Sequence, residues 1–90
     1  MHFPFSQEII DGGMVRTFHE DVDSEELKWH FDLQERFVVC EYETDWMVQF
    51  DNQLPQKIKK GEVIHVPPHV YHRVIKGTGD LTVKIKEITS

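Results

Sequence analysis

Residues 61–72 read GEVIHVPPHVYH, which makes this the most informative stretch of the chain. Gly61 permits a turn, and residues 62–66 have the largely β-branched composition of a strand. Pro67 and Pro68 have no backbone N–H to donate, so they end ladder pairing and force a rigid corner. A second strand is predicted over residues 71–75. The stretch therefore predicts two strands joined at a fixed corner.

The rest of the chain has the pattern of an all-β protein. Turn-forming residues recur at short intervals, at 11–13, 43–45, 51–53, 60–61 and 76–80. Apolar residues alternate over 46–51 and 81–88, and 36–42 is a near-continuous apolar run. Only 22–28 suggests helix, with Asp23 and Glu26 placed as a capping box. We predict one all-β domain over residues 1–90, built as a sandwich or barrel.

Composition limits what can support so small a domain. A chain of 90 residues buries only about 60–65% of its unfolded surface, so its core alone is marginal. Cys40 is the only cysteine, which excludes an internal disulfide. A bound metal, a partner subunit or both are therefore expected to add stability, and we expect a homodimer.

Charge and hydropathy narrow the classes of partner. The formal net charge of −6 and the scattered basic residues argue against nucleic-acid binding. No run of 18 apolar residues and no signal-peptide pattern are present. We expect a cytoplasmic protein that does not contact membranes and whose partner is a small-molecule ligand.

The spacing Gly61-x5-Pro67-x4-His72 resembles the second sequence motif of the cupins. His69 stands where that motif usually has glycine. The resemblance implies a cupin-type double-stranded β-helix, or jelly-roll barrel. It also implies that His72 is a metal ligand pointing into the barrel.

Residues 29–36, WHFDLQER, resemble an altered first cupin motif, which normally supplies His-x-His and then Glu. His30 takes the place of the first histidine, and Asp32 replaces the second. Glu35 falls one residue before the usual glutamate, and Arg36 is the alternative occupant of that slot. The resemblance thus implies a metal site formed by His30, Asp32, Glu35 and His72.

The residue types agree with this ligand set. His30 and Asp32, two residues apart on an extended segment, share one face, and His72 could reach that face from a neighbouring strand. Two histidines with one or two carboxylates suit Fe, Mn, Zn or Ni as divalent ions. If Arg36 enters the pocket instead of Glu35, it would hold an anionic group of a substrate. Trp46 and His69 are further candidates for the pocket wall and mouth, although Trp46 is also a natural core residue.

Two functions remain open at this point. The first is a metal-dependent cupin, an enzyme or not, that acts on a small polar metabolite. The second is a non-catalytic module that binds a small molecule or a partner without metal, which the altered first motif favours. The wider pattern is also similar to short cupins of marine phages and environmental bacteria, a group whose name implies no single reaction.

Overall fold

The computed structural model describes residues 4–88. Its elements are strands β1 to β8 and one 3-10 turn. In chain order they are β1 (Phe5–Ile10), β2 (Gly13–Phe18), the 3-10 turn (Ser24–Glu26), β3 (Glu35–Val39), β4 (Met47–Phe50), β5 (Gln56–Lys57), β6 (Val63–Val66), β7 (His72–Ile75) and β8 (Leu81–Ile88).

The strands form two antiparallel sheets. The larger sheet has the order β1-β2-β8-β3-β6 and the smaller one the order β5-β4-β7. Side chains from both sheets meet in one core, where Phe18 of the larger sheet lies 6.0 Å from Trp46, measured between ring centroids. The all-β jelly-roll prediction is confirmed by this arrangement.

Alternation along the strands decides which side chains face the interior. On β8, Leu81, Val83 and Ile85 are buried while the residues between them are more exposed, as the sequence pattern predicts. The same period places Arg36 of β3 on the inner face, because it lies opposite Glu87 and next but one to the cavity-lining Val38. The interior of the larger sheet therefore carries charge as well as apolar side chains.

Residues 67–71 form the corner between β6 and β7. His69 adopts a φ of 65°, the left-handed region that favours glycine, at the position where the motif usually has glycine. Its backbone N–H donates to the carbonyl oxygen of Asp32 at 2.8 Å. The corner thereby holds the segment around residue 32 beside the start of β7.

The predicted helical segment is shorter than a full α-helical turn and forms the 3-10 turn. The Asp23 carboxylate accepts a hydrogen bond from the backbone N–H of Glu25 at 3.0 Å, so Asp23 is the N-cap, without a reciprocal bond from Glu26. Among residues 4–88, no helix has the length and apolarity needed to cross a membrane.

Candidate metal centre and barrel cavity

His30 and His72 are brought together by a backbone bridge. Each residue's N–H donates to the other's carbonyl oxygen, at 3.0 Å from His30 and 2.9 Å from His72. Directly opposed residues of an antiparallel bridge project from the same face. The two imidazole rings accordingly lie with their centroids 4.4 Å apart.

Both histidines have the same side-chain hydrogen bond, and it fixes their tautomer. Nδ1 of His30 lies 3.0 Å from the carbonyl oxygen of Lys28, and Nδ1 of His72 lies 2.9 Å from that of Val70. A carbonyl oxygen only accepts, so Nδ1 carries the proton in each ring. In the neutral form, Nε2 of each ring then presents a lone pair, which is how histidine binds metals.

Asp32 completes the cluster. One potential ligand atom from each of His30, Asp32 and His72 lies within 4.8 Å of the others. The Asp32 side chain is only 12% exposed, and its Oδ2 lies 3.3 Å from Nε2 of His72. Oδ2 is buried and has no hydrogen-bond partner among the described residues. In the neutral form of His72, this buried carboxylate oxygen therefore faces the lone pair of Nε2 with no proton between them.

Arg36 and Glu87 hold the other side of Asp32. Nη1 of Arg36 lies 3.4 Å from Oδ1 of Asp32. Nε and Nη2 of Arg36 both donate to Oε2 of Glu87, at 2.9 and 2.7 Å. This network compensates the negative charge of Asp32 on its Oδ1 side and leaves Oδ2 directed at the histidines.

Burial also controls the protonation of His72. The residue is 9% exposed, and removal from water lowers the pKa of its imidazole below the usual value. The nearby His30 contributes to the lowering, whereas the hydrogen bond to Val70 and the charge of Asp32 oppose it without cancelling it. His72 is consequently neutral at pH 7 and able to donate its Nε2 lone pair.

The cluster opens into a cavity inside the barrel. Its volume is about 370 Å³, at the lower end of the range for small-molecule sites. Most of its wall is aliphatic or aromatic, with contributions from both sheets such as Val48, Val83 and Ile85. His30, Asp32, His72, Arg16 and Arg36 are among the polar residues in that wall. A few polar groups in an apolar cavity are typical of a site for a small organic molecule.

Glu35, expected from the sequence as a fourth ligand, lies apart from the cluster. Its Oε2 is 2.6 Å from Nε2 of His65, a partly exposed pair on the outer face of the larger sheet. The reason is the period of two along β3: Arg36 faces inward, so its neighbour Glu35 faces outward. Arg36 is thus the residue that takes the inward position of the motif's usual glutamate. Its guanidinium donates to Glu87 and approaches Asp32.

The two remaining candidates also lie apart from the cavity wall. Trp46 is fully buried in the core, and its indole N–H donates to the carbonyl oxygen of Gly79 at 3.0 Å. His69 is exposed on the corner, where its ring lies 5.8 Å from that of Phe31. Neither is among the residues that line the cavity.

Arg16 and Glu87 were not singled out from the sequence. The sequence pattern does place Glu87 on the inner face, because the inward alternation of residues 81, 83 and 85 continues to 87. Arg16 lies two residues before the buried Phe18 on β2, so the same period places it on the inner face. Both signals become informative only once the inner face is known.

Comparison with known proteins shows likeness in structure but not in sequence. The sequence matches no protein-family profile and no curated protein. A Ralstonia eutropha protein, provisionally described as a mannose-6-phosphate isomerase, is similar with a TM-score of 0.68 and 18% identity over 96% of this chain and 83% of its own.

Two further structures are similar to a comparable degree. An RmlC-like cupin family protein with a double-stranded β-helix fold, from Methanocaldococcus jannaschii, has a TM-score of 0.65 and 13% identity over 96% of this chain and 82% of its own. Iron(II) HppE in complex with substrate has a TM-score of 0.67 and 14% identity over 98% of this chain, which spans 55% of HppE. The chain has the cupin fold.

Proposed function

We propose that this protein binds a divalent transition metal through His30, Asp32 and His72 and uses it to bind or convert a small molecule in the barrel cavity. Two histidines and one carboxylate are the ligand set of many non-haem iron sites, and they also suit Mn, Zn and Ni. HppE has the same fold at 14% identity and contains iron(II), which is consistent with such a site here.

The observation that carries the proposal is the contact between Oδ2 of Asp32 and Nε2 of His72. Two acceptor atoms 3.3 Å apart, one of them buried without a partner, are unfavourable unless a cation lies between them. The lowered pKa of His72 opposes a proton in that role. A divalent metal satisfies both atoms at once.

The donor atoms lie close enough to be shared by one metal ion. Metal–nitrogen and metal–oxygen bonds of about 2.0–2.2 Å at tetrahedral angles place two ligand atoms roughly 3.3–3.6 Å apart. The three donor atoms lie within 4.8 Å of one another, and Oδ2 of Asp32 is already 3.3 Å from Nε2 of His72. Side-chain movements of roughly an ångström are therefore enough to close the site.

The protein's own groups prepare the site for the metal. The carbonyl oxygens of Lys28 and Val70 fix the orientation of the two rings, as outer-shell acceptors do for metal-bound histidines. Arg36 fixes the Asp32 carboxylate through Oδ1. When bound, a metal with three protein ligands supplies a Lewis acid with open positions for a ligand oxygen.

Metal analysis of untagged protein tests the proposal. We expect about one equivalent of a transition metal after purification or after reconstitution with Fe(II), Mn(II), Zn(II) or Ni(II). Removal of the metal by a chelator should lower the melting temperature by several degrees, because the metal stabilises only the folded state. His30→Ala should remove both effects, whereas His65→Ala, in the outward histidine, should leave them unchanged. Less than about a tenth of an equivalent, with no binding on titration, would exclude the metal site.

One observation favours a second candidate, a metal-free binding module. Arg36 lies 3.4 Å from Asp32 and already compensates part of its charge. In that case Asp32 and Arg36 would bind polar groups of a ligand directly. This candidate predicts a melting temperature that does not respond to chelators and ligand binding that persists in their presence.

A further inference from the structure

Arg16 is the half-buried cationic residue of the cavity wall that has no carboxylate partner among the described residues. Its Nε and Nη2 donate to Oε1 of Gln7 at 2.9 and 2.7 Å, and Nη2 also lies 3.9 Å from the sulfur of Met14. The guanidinium carbon lies 3.9 Å above the ring centroid of Phe5. Within residues 4–88, no ion pair to Arg16 is found. Neutral partners surround a full positive charge.

The other basic groups of the wall differ from Arg16. Arg36 is bonded to Glu87 and lies beside Asp32, so two carboxylates compensate it. Lys28 is exposed to solvent. Half-buried Arg16 has neither a carboxylate nor full hydration. Its burial, followed by the charge of Arg36, lowers the pKa of Arg16 to about 10, which reflects the cost of this environment. At pH 7 it remains fully charged.

From this geometry we infer that the cavity takes a small organic anion, whose carboxylate binds Arg16 and whose apolar body fills the barrel. Gln7 occupies the Nε–Nη2 edge of Arg16, and the remaining N–H groups of Nη1 and Nη2 form a fork that matches the two oxygens of a carboxylate. The aliphatic side chains of Val48, Val83 and Ile85 suit the apolar body. The inference rests on the proposed function in taking this cavity as the ligand site, and it specifies the class of ligand.

The charge of the cavity also points to an anion. A bound divalent metal adds two positive charges to a wall that has one more cationic than anionic side chain, namely Arg16, Lys28 and Arg36 against Glu26 and Asp32. The charge of Asp32 raises the pKa of Arg16, although burial and Arg36 outweigh it. A neutral or cationic ligand would leave Arg16 uncompensated. An anionic ligand gives Arg16 the charge partner that the protein does not provide.

The test uses hexanoate as the probe, with hexanamide as its neutral counterpart and hexylamine as its cationic counterpart. Binding is measured by isothermal titration calorimetry on metal-free protein in chelator and on protein loaded with Mn(II). We expect hexanoate to bind at least roughly tenfold more tightly than hexanamide, and hexylamine not to bind, because a charge-assisted hydrogen bond exceeds a neutral one. Arg16→Gln should weaken hexanoate roughly 10- to 100-fold, and Arg16→Lys less, since it keeps the charge without the fork.

Arg73 provides the matched control. Its Nε and Nη2 also donate to a glutamine oxygen, Oε1 of Gln49, at 3.0 and 2.9 Å, and it lies over the ring of Trp29 at 4.8 Å. It is not among the cavity-lining residues. Arg73→Gln should therefore leave hexanoate binding unchanged. If Arg16→Gln does not fold, the ¹⁵Nε signal of Arg16 in the wild-type protein should shift on titration with hexanoate.

The outcomes separate this inference from the proposed function. Arg16-dependent binding of hexanoate to a protein that takes up no metal would support the inference and exclude the metal site. Hexanoate binding that requires Mn(II) and is unaffected by Arg16→Gln would place the carboxylate on the metal and overturn the inference. Equal affinities for hexanoate and hexanamide, equal effects of Arg16→Gln and Arg73→Gln, or no binding of hexanoate would also overturn it.

Discussion

Replacing Asp32 by asparagine tests the metal centre, because the change should affect metal binding and folding stability very differently. Asparagine has nearly the same shape, so its oxygen can remain beside Nη1 of Arg36, 3.4 Å from Oδ1 in the wild type. Its NH2 group would then lie where Oδ2 faces Nε2 of His72 at 3.3 Å. A donor would replace an unpartnered acceptor at that point.

The expected effect on stability without metal is small. Two unit charges 3.4 Å apart attract each other by about 5 kcal/mol at an effective dielectric constant of 20. Most of this attraction is offset by the cost of burying the carboxylate, and Arg36 retains Glu87 as a partner at 2.7 Å. The new hydrogen bond to His72 contributes about 0.5–1.5 kcal/mol in the opposite direction. We expect the free energy of unfolding in chelator to change by less than about 1.5 kcal/mol.

The expected effect on the metal is large. Loss of an outer-shell partner typically weakens metal binding about 10- to 100-fold, and loss of an anionic ligand should exceed that. Asp32→Asn should therefore weaken binding of Zn(II), Ni(II) or Mn(II) by at least roughly 100-fold, or about 2.7 kcal/mol. Calorimetric metal titration measures this, and urea unfolding in chelator measures the stability.

Glu35→Gln is the matched control for Asp32→Asn. It makes the same carboxylate-to-amide change three residues along the chain, in a side chain that pairs outward with His65. Metal affinity should stay within about twofold of the wild type, since exposed ion pairs have only a small influence. The reasoning fails if Glu35→Gln weakens the metal as much as Asp32→Asn does. It also fails if Asp32→Asn leaves the affinity unchanged, or lowers metal-free stability by more than about 3 kcal/mol.

Three more measurements follow from the site and its surroundings. Burial lowers the pKa of His72 in the folded state, so below the usual histidine pKa of 6.5 the unfolded state binds more protons than the folded state. Metal-free stability should therefore be fully present above pH 6.5 and decrease as the pH falls below it. Urea unfolding measured against pH should show this decrease, and His72→Gln should reduce it. Trp46→Phe should lower the free energy of unfolding by about 2–4 kcal/mol, because buried volume is lost and the carbonyl of Gly79 is left unpaired, and metal affinity should stay unchanged. A loss of metal binding at full stability would instead assign Trp46 to the site. His69→Gly should raise the unfolding free energy by up to about 1 kcal/mol. A φ of 65° costs a residue with a side chain roughly 1–2 kcal/mol, and the greater chain entropy of unfolded glycine offsets part of the gain. Thermal or urea unfolding measures the change, and a clear destabilisation would contradict the prediction.

The strands of this protein follow from local sequence patterns. The alternation over residues 81–88 and the corner at Pro67 and Pro68 predict β8 and the β6–β7 connection, and the structure confirms both. Such features depend on a period of two and on residues that cannot pair, which are properties of neighbouring positions. The resemblance to two short cupin motifs implies His30, Asp32 and His72 as ligands, and the structure places their potential ligand atoms together.

Other parts of the site depend on contacts between distant segments. Residues 36–40 are apolar on nearly every position, so alternation could not reveal that Arg36 faces inward and Glu35 outward; pairing with β8 determined it. The unpartnered Oδ2 of Asp32 faces Nε2 of His72, which lies about 40 positions away in the chain. Neighbouring residues therefore specify which chemical groups are available and which strands carry them. The packing of the two sheets decides which of those groups meet in the cavity and which, like Arg16, are left without a charge partner, because burial and electrostatic compensation depend on the whole fold.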